Sequence, residues 1–322
     1  LIEEISQDLF MITLPMPFRL RHVHVFVLIH NGEITLFDTG LNTPETVVIL
    51  DESLRTLHRG VRDIARIYIT HHHLDHCGMA GRIKGLSGAE IHASDISREV
   101  LSARSDETEL IRRIRDFCLI HGLPESTTNF VIRLFQAFKT AGSPFRIDRC
   151  FRADSSQIVG KTEFQAIATP GHTRDHTSYY FPEEGLLLSG DHVLPEITPN
   201  LSPDIFFPDF RPLGSFLDSL SRIRALPVGK VYPAHGDPFP NLAERIREIE
   251  SHHDIRKGLA CESVRRGPQT AFEVSRDIFG DGLPEFDSFL ALNETYVHLV
   301  ELVHERVIEE IKSRDQIIYR AF

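Results

Sequence analysis

No stretch of this 322-residue chain is apolar for long enough to cross a bilayer; the longest apolar runs, such as VFVLI at 25–29, are strand-sized. The N-terminus lacks a basic segment followed by an apolar core and a cleavage site, so no export signal is read there. The chain begins at Leu1 rather than at a methionine, which leaves room for a removed segment. Cysteine is scarce: Cys77, Cys118, Cys150 and Cys261 are scattered, and no two have CxxC spacing. A reduced, cytoplasmic compartment follows as the plain expectation. Cys77 adjoins His76 and is a conceivable soft ligand, although a packed thiol is the simpler reading. Positive charge is in deficit, with 35 Lys+Arg against 46 Asp+Glu and a net charge of −11. That balance argues against a nucleic-acid surface, which needs a basic footprint, while leaving a local basic groove open. Repeats and low-complexity tracts are absent. What remains is a composition of 41% hydrophobic and 25% charged residues, ordinary for a globular chain of one large domain plus an appendage.

The ordered elements begin with β structure. VHVFVLIH (23–30) and EITLFDTG (33–40) flank Asn31-Gly32, a strong hairpin signal. Val47, Leu50, Leu54 and Leu57, spaced by three and four, predict an amphipathic helix over 44–59. ARIYIT (65–70) reads as a strand running into THHHLDHCG, GMAGRIKGL as a short helix, and AEIHAS (89–94) as another strand. From about 95 to 150 the alternation stops and a helical insertion is expected. Asp106, with Glu109 three residues on, reads as a capping box for a helix that ends at Gly122. A second helix, roughly 125–141, carries Phe130, Leu134, Phe135 and Phe138, a stripe that packs on the body, forms a lid over a substrate, or does both.

Strands return in FQAIATPG (164–171), TSYYFP (177–182), GLLLSGD (185–191) and KVYPAHG (230–236), with a helix at about 213–226. Beyond Pro240, three helices and an alternating tail (308–322) suggest a winged-helix-like module at 241–322 beside a catalytic domain at 1–240. The module carries 11 Lys+Arg against 16 Asp+Glu, roughly −5. Packing or dimerisation suits that charge better than duplex recognition.

Within THHHLDHCG, four histidines and one aspartate occupy the six positions from His71 to His76. In the pattern H-x-H-x-D-H on a loop after a strand, His71 and His73 can face one ion while Asp75 and His76 turn toward a neighbour. Imidazole and carboxylate together suit Zn²⁺ and similar borderline ions. His172 in TPGHT, Asp191 in SGDH and His235 in PAHG complete the set. Each alone would be an ordinary packed or turn residue. Jointly, seven donors lie just beyond the carboxyl ends of four predicted strands, where loops of α/β sheets converge. His72 should point away, His176 reads as a structural neighbour, and His252-His253 as solvated. His22, His24, His30 and His92 occupy strand positions without carboxylate company.

THHHLDHCG, TPGHT, SGDH and PAHG resemble, in order, the four metal-binding motifs of the metallo-β-lactamase superfamily, and FDTG (37–40) resembles its first motif. The resemblance covers about residues 5–240. It implies an α/β fold, the αββα four-layer sandwich, with a dinuclear site along one edge. It places His71, His73 and His172 on a first ion, Asp75, His76 and His235 on a second, and Asp191 between them, with Asp38 buttressing the loops. Thr70 and Thr173 are further candidates for orienting the ligand rings. GPQTAFEVSRDIFG and ALNETYVHLVELV are similar to the C-terminal module of the lactamase-B-like protein 2 group, which includes hydrolases and an endoribonuclease. Three departures qualify the likeness. Asp175 stands where many relatives have glycine. The 44 positions from Asp191 to His235 leave no room for the cap domain of end-processing nucleases. Residue 73 is His rather than the Glu of diiron oxygen-reducing relatives, which favours hydrolysis over redox chemistry.

The resemblance implies a hydrolase with two divalent ions, zinc first, iron or manganese as alternatives. Hydroxide shared by the ions would attack a small ester, thioester or lactone, with Asp75 as a ligand that also orients the nucleophile. A phosphodiesterase or endoribonuclease is the alternative. His192, Tyr179 and Tyr180 are candidate proton donors to the leaving group. The partner expected is a small molecule, without a membrane and with nucleic acid disfavoured; a homodimer is open.

Overall fold

Period-two alternation decides the architecture of the computed structural model, which describes residues 2–17 and 19–322. The first sheet runs in chain order: β1 (Ile2–Ser6), β2 (Leu9–Pro15), β3 (His22–His30), β4 (Glu33–Phe37), β5 (Ile64–Tyr68), β6 (Glu90–Ser94) and β7 (Arg149–Phe151). β1 to β4 pair antiparallel, and β4 to β7 parallel. Asn31 and Gly32 close the β3–β4 hairpin with positive φ at both positions (50° and 85°), a two-residue turn that matches strand twist. The second sheet comprises β8 (Ser155–Val159), β9 (Thr162–Ala168), β10 (Thr177–Phe181), β11 (Leu186–Gly190) and β12 (Lys230–Pro233), in the order β12-β11-β10-β9-β8.

Alternate residues of each strand serve different layers. Leu9, Met11, Phe26, Leu28 and Phe37 face Phe164, Tyr179, Phe181 and Leu188 between the sheets. Phe37 is the hub of that layer, with its ring 5.1 to 5.8 Å from Tyr68, Phe164, Tyr179 and Phe181. The intervening Ile12, Val23, Val25, Val27, Ile34 and Leu36 face outward. Three helices follow on that side: α1 (Pro44–Thr56), the one-turn α2 (Leu74–Cys77) and α3 (Ala80–Ser87). Leu50, Leu54, Ala80 and Ile83 cover the sheet there.

Between β6 and β7 lie α4 (Asp95–Ala103), α5 (Glu107–Ile120) and α6 (Glu125–Phe138). Asp106 caps α5 by accepting from Thr108 and Glu109 N–H, but Glu109 turns its carboxylate to Arg112 and Arg113, so the expected box is half-formed. The second sheet is covered by α7 (Pro212–Arg224) and the first turns of α8 (Leu242–Arg265), through Leu213, Phe216, Leu220, Ile223, Leu242, Ile246 and Ile249. The helical, sheet, sheet and helical layers are those of the αββα sandwich.

The rest of α8 leaves that sheet and joins α9 (Ala271–Phe279), α10 (Glu285–His304) and a hairpin of β13 (Ile308–Lys312) and β14 (Ile317–Ala321). Cys118, Leu123, Val131 and Ile132 of the insertion share one core with Ala260, Val264, Val274, Leu292, Leu299 and Tyr319 of this tail. Phe130 packs there too, and Phe135 meets Phe289 of α10 edge-on at 5.8 Å. Phe130 and Phe135 therefore serve a helix–helix seam that covers the apolar faces of α8 to α10, the packing half of the expectation. His253 is buried rather than solvated. Its Nδ1–H donates to His298 Nε2 at 3.1 Å, and His298 Nδ1–H donates to the Glu294 carbonyl at 2.6 Å. No helix among the described residues is long and apolar enough to cross a membrane.

Candidate metal centre

The donors expected from the sequence stand on four loops. His71 to His76 follow β5, His172 follows β9, Asp191 follows β11 and His235 follows β12. Asp38, just past β4 with φ of 58°, organises the first loop. Its Oδ1 accepts the Thr70 N–H at 2.8 Å, and Oδ2 accepts both the Thr70 hydroxyl (2.7 Å) and His76 Nδ1–H (2.8 Å). With its own proton committed to Asp38, the Thr70 oxygen accepts from His71 Nδ1–H at 3.0 Å. His71 and His76 are thereby locked with Nε2 facing inward, as metal-binding imidazoles require.

The other loops use the same device with backbone acceptors. His172 Nδ1–H donates to the Asn200 carbonyl at 2.7 Å, and His235 Nδ1–H to the His22 carbonyl at 2.7 Å. Asp191 is held through its backbone N–H, which donates to His176 Nε2 at 3.0 Å. His176 in turn donates from Nδ1 to Thr169 at 2.7 Å. Gly190 makes this fit possible: its φ is 55°, and a Cβ would lie 2.6 Å from His176 Nε2.

Three groups of ligand atoms lie within 4.8 Å of one another: His71, His73 and His172; His71, His76 and Asp191; Asp75, His76 and His235. Asp191 spans them. Its Oδ2 is 3.4 Å from His172 Nε2, while Oδ1 is 3.4 Å from His76 Nε2 and 3.3 Å from His235 Nε2. Asp75 Oδ2 reaches His235 Nε2 at 3.3 Å. His71 and His76 side chains are 0% exposed against 20% for Asp75, so the cluster opens toward solvent on the Asp75 side.

His71 Nε2, His76 Nε2, His235 Nε2 and Asp191 Oδ1 are buried and make no hydrogen bond. Buried polar atoms are rarely left so. Four of them converging with carboxylates is the donor set a divalent cation satisfies, so the residues present fit the ions that the motifs imply. Charge divides the imidazoles. Burial and the neighbouring rings push His71 and His73 well below the ordinary imidazole range, leaving lone pairs free. Burial also opposes charge on His235, but Asp191 and Asp75 overcome it and raise its pKa to about 10. An incoming ion must displace that proton.

The remaining candidates lie off the cluster. His72 turns away as expected, and its Nδ1–H donates to Asp175 at 2.8 Å. Asp175, the unusual residue of its motif, thus anchors the middle of the histidine run. Cys77 is a packed thiol, donating to the His72 carbonyl at 3.3 Å. Thr173 closes its turn through a carbonyl that accepts from Gly171 N–H. The expected proton donors do not reach the site. Tyr179 is buried between the sheets with its hydroxyl on the Ile69 carbonyl (2.7 Å), and Tyr180 points to the Pro227 carbonyl on the outer face. His192 is fully buried against Phe216, and burial holds it neutral. The residues that sequence reasoning missed act largely through backbone: the carbonyls of Asn200 and His22 carry no side-chain signature. His176, expected from the sequence as a structural neighbour, is one: it accepts the Asp191 N–H.

Residues 19–235 match the metallo-beta-lactamase superfamily, and the chain belongs to it. It is 28% identical over 313 residues to the probable metallo-hydrolase YqjP of Bacillus subtilis, covering 94% of each chain. It is 26% identical to the beta-lactamase-like protein 2 homolog of Caenorhabditis elegans, over 92% of this chain and 83% of that one. Among solved structures, a metallo-beta-lactamase family protein from Thermus thermophilus superposes with a TM-score of 0.84 at 27% identity, over 99% of this chain and 100% of the other. A beta-lactamase domain protein from Burkholderia ambifaria shares the fold, with a TM-score of 0.83 at 23% identity over 100% and 94% of the two chains.

Proposed function

We propose that this protein is a metal-dependent hydrolase of small esters, thioesters or lactones, with two divalent ions, zinc in the first place, held by the seven donors. His71, His73 and His172 would hold one ion, Asp75, His76 and His235 the other, and Asp191 both. The observation that carries this reading is that His76 Nε2 and His235 Nε2, buried and without hydrogen bonds, stand 3.4 and 3.3 Å from the equally unsatisfied Oδ1 of Asp191, with the unsatisfied His71 Nε2 in the same group. When bound, such a pair supplies Lewis acidity that makes water nucleophilic at neutral pH and stabilises charge on the substrate's oxygen. Asp75, at the open side, is placed to accept a hydrogen bond from the attacking water and aim its lone pair. Thr70, Asp38, Asn200 and His22 keep the imidazole rings from rotating. The described residues that line this edge offer no serine–histidine pair, and none is needed.

An acyl substrate is favoured over a phosphodiester because arginines of the insertion and of the loops after β9 and β11 are engaged in ion pairs. Arg104 pairs with Asp204, Arg113 with Glu109, Arg174 with Glu99 and Arg211 with Glu301. Polyphosphate recognition needs guanidinium groups with donors to spare. The test is a panel of acyl esters, thioesters, lactones, phosphodiesters and short RNA, offered to protein reloaded with zinc, iron or manganese. Acyl hydrolysis that disappears with chelator is expected. Cleavage of RNA without acyl hydrolysis would overturn the assignment.

A further inference from the structure

The 21 residues between β11 and α7 form no helix or strand, yet they begin with Asp191 and contain the Asn200 carbonyl that orients His172. Loops this long in a folded body usually serve the site. Arg245, on the first turns of α8, reaches this loop with its fork of donors. Its Nε donates to the Leu194 carbonyl at 2.7 Å and its Nη2 to the Ile197 carbonyl at 3.0 Å, while Glu248 takes Nη1. The side chain is only 13% exposed, and its bond to the Leu194 carbonyl is partly buried. On the other side of Asn200, Arg104 holds Asp204, and Arg113 donates to the Ile205 carbonyl at 3.0 Å. Leu201 is buried beneath the loop against the α7–α8 cluster.

We propose that Arg245 is a positioning residue for the ligand group His71, His73 and His172. By fixing Leu194 and Ile197 it sets where the Asn200 carbonyl stands, and that carbonyl sets the angle at which His172 presents Nε2. The helix that leads into the C-terminal region thereby takes part in building the metal centre without touching an ion. The inference rests on the dinuclear reading above, and it weights the effect toward the His172 group: the Asn200 carbonyl bonds directly to His172, whereas toward His235 this stretch offers only the packing of Pro195 on Gly236. The planar fork matters, because its Nε and Nη2 stand apart to meet the two carbonyls, whereas a lysine would have to reach both from a single nitrogen.

The test is stepwise chelator competition on full-length zinc-loaded protein, with cobalt(II) absorption as a second signal of ligand geometry. His172→Ala and His235→Ala identify which step belongs to which ion. Arg245→Ala is expected to weaken the step lost in His172→Ala by roughly tenfold to a hundredfold, the range for groups that orient a ligand. The step lost in His235→Ala should hold. Arg245→Lys should fall between, and carries the test if the alanine variant does not fold. Arg266→Ala, which loses only its bond to Asp277, is the control and should leave both steps unchanged. Equal weakening of both steps, or neither, in the Arg245 variants would overturn the proposal. A wild-type protein that takes up no divalent ion would instead overturn the dinuclear reading beneath it.

Discussion

The loop bearing His71 to His76 and the helix bearing His252 and His253 both set adjacent imidazoles beside an aspartate, and both bury at least one of them. On the loop, hydrogen bonds at Nδ1 turn the rings of His71 and His76 inward, and their Nε2 atoms converge. On α8, successive residues project about 100° apart around the axis. His252 accordingly turns to Glu294, while His253 turns to His298. No group of metal-ligand atoms forms there among the described residues. The difference teaches that histidine density is not the signal. Convergence requires a backbone that lets residues two and three apart share a target, and partners on other loops that complete it.

Asp191→Ala attacks the converging side of this contrast at its centre. Loss of the carboxylate whose oxygens reach both groups should empty or disorder the centre and cut turnover by about a hundredfold or more. Metal analysis beside an activity assay checks this, and unchanged stoichiometry would remove the bridging role. Gly190→Ala should come next. A side chain at φ of 55°, meeting His176, would cost about 1–3 kcal/mol and loosen the bond that holds Asp191. Denaturant unfolding of metal-free and metal-loaded protein would show it.

His253→Leu tests the self-satisfied side. It removes the donor to His298 and should cost about 1–3 kcal/mol, with both ions retained. A lost ion would erase the distinction between the regions. The smallest effect is in pH dependence. Burial lowers His253 to about 2 and His298 to about 4, against 6.5 when unfolded. The unfolded chain then binds more protons below pH 6.5, so this contribution to stability is intact above 6.5 and falls away toward pH 4. His235, raised to about 10, acts in the opposite sense in metal-free protein: its contribution is full below 6.5 and lost as pH rises through 10. Melting curves of metal-free wild type and His253→Leu between pH 7 and 5 should diverge, with the variant losing less.

Much of this was legible in the sequence because local chemistry announces itself. Asn31-Gly32 sets its own turn, and H-x-H-x-D-H with three strand-end partners names its own site. The three-residue β7 was missed because it carries too little alternation, β8 because Ser155, Ser156 and Gln157 dilute its apolar signal, and α4 because its run from Asp95 blends into the next helix. The fate of Phe130 was out of reach for a different reason. Periodicity marks an apolar face but not which surface will meet it, and the tail that does so lies more than a hundred residues away. His253 was hidden likewise, among the charged residues of α8. Carbonyl acceptors such as Asn200 are readable only once the chain is folded.

Because α8 lends Leu242, Ile246 and Ile249 to one core and Ala260, Cys261 and Val264 to another, it works as a dowel driven through two blocks of wood. Trimming the protein after Pro240 would not free a minimal enzyme but strip a wall from the second sheet. Calorimetry of the intact chain should accordingly record a single endotherm, and two resolved peaks would show that the joint gives way.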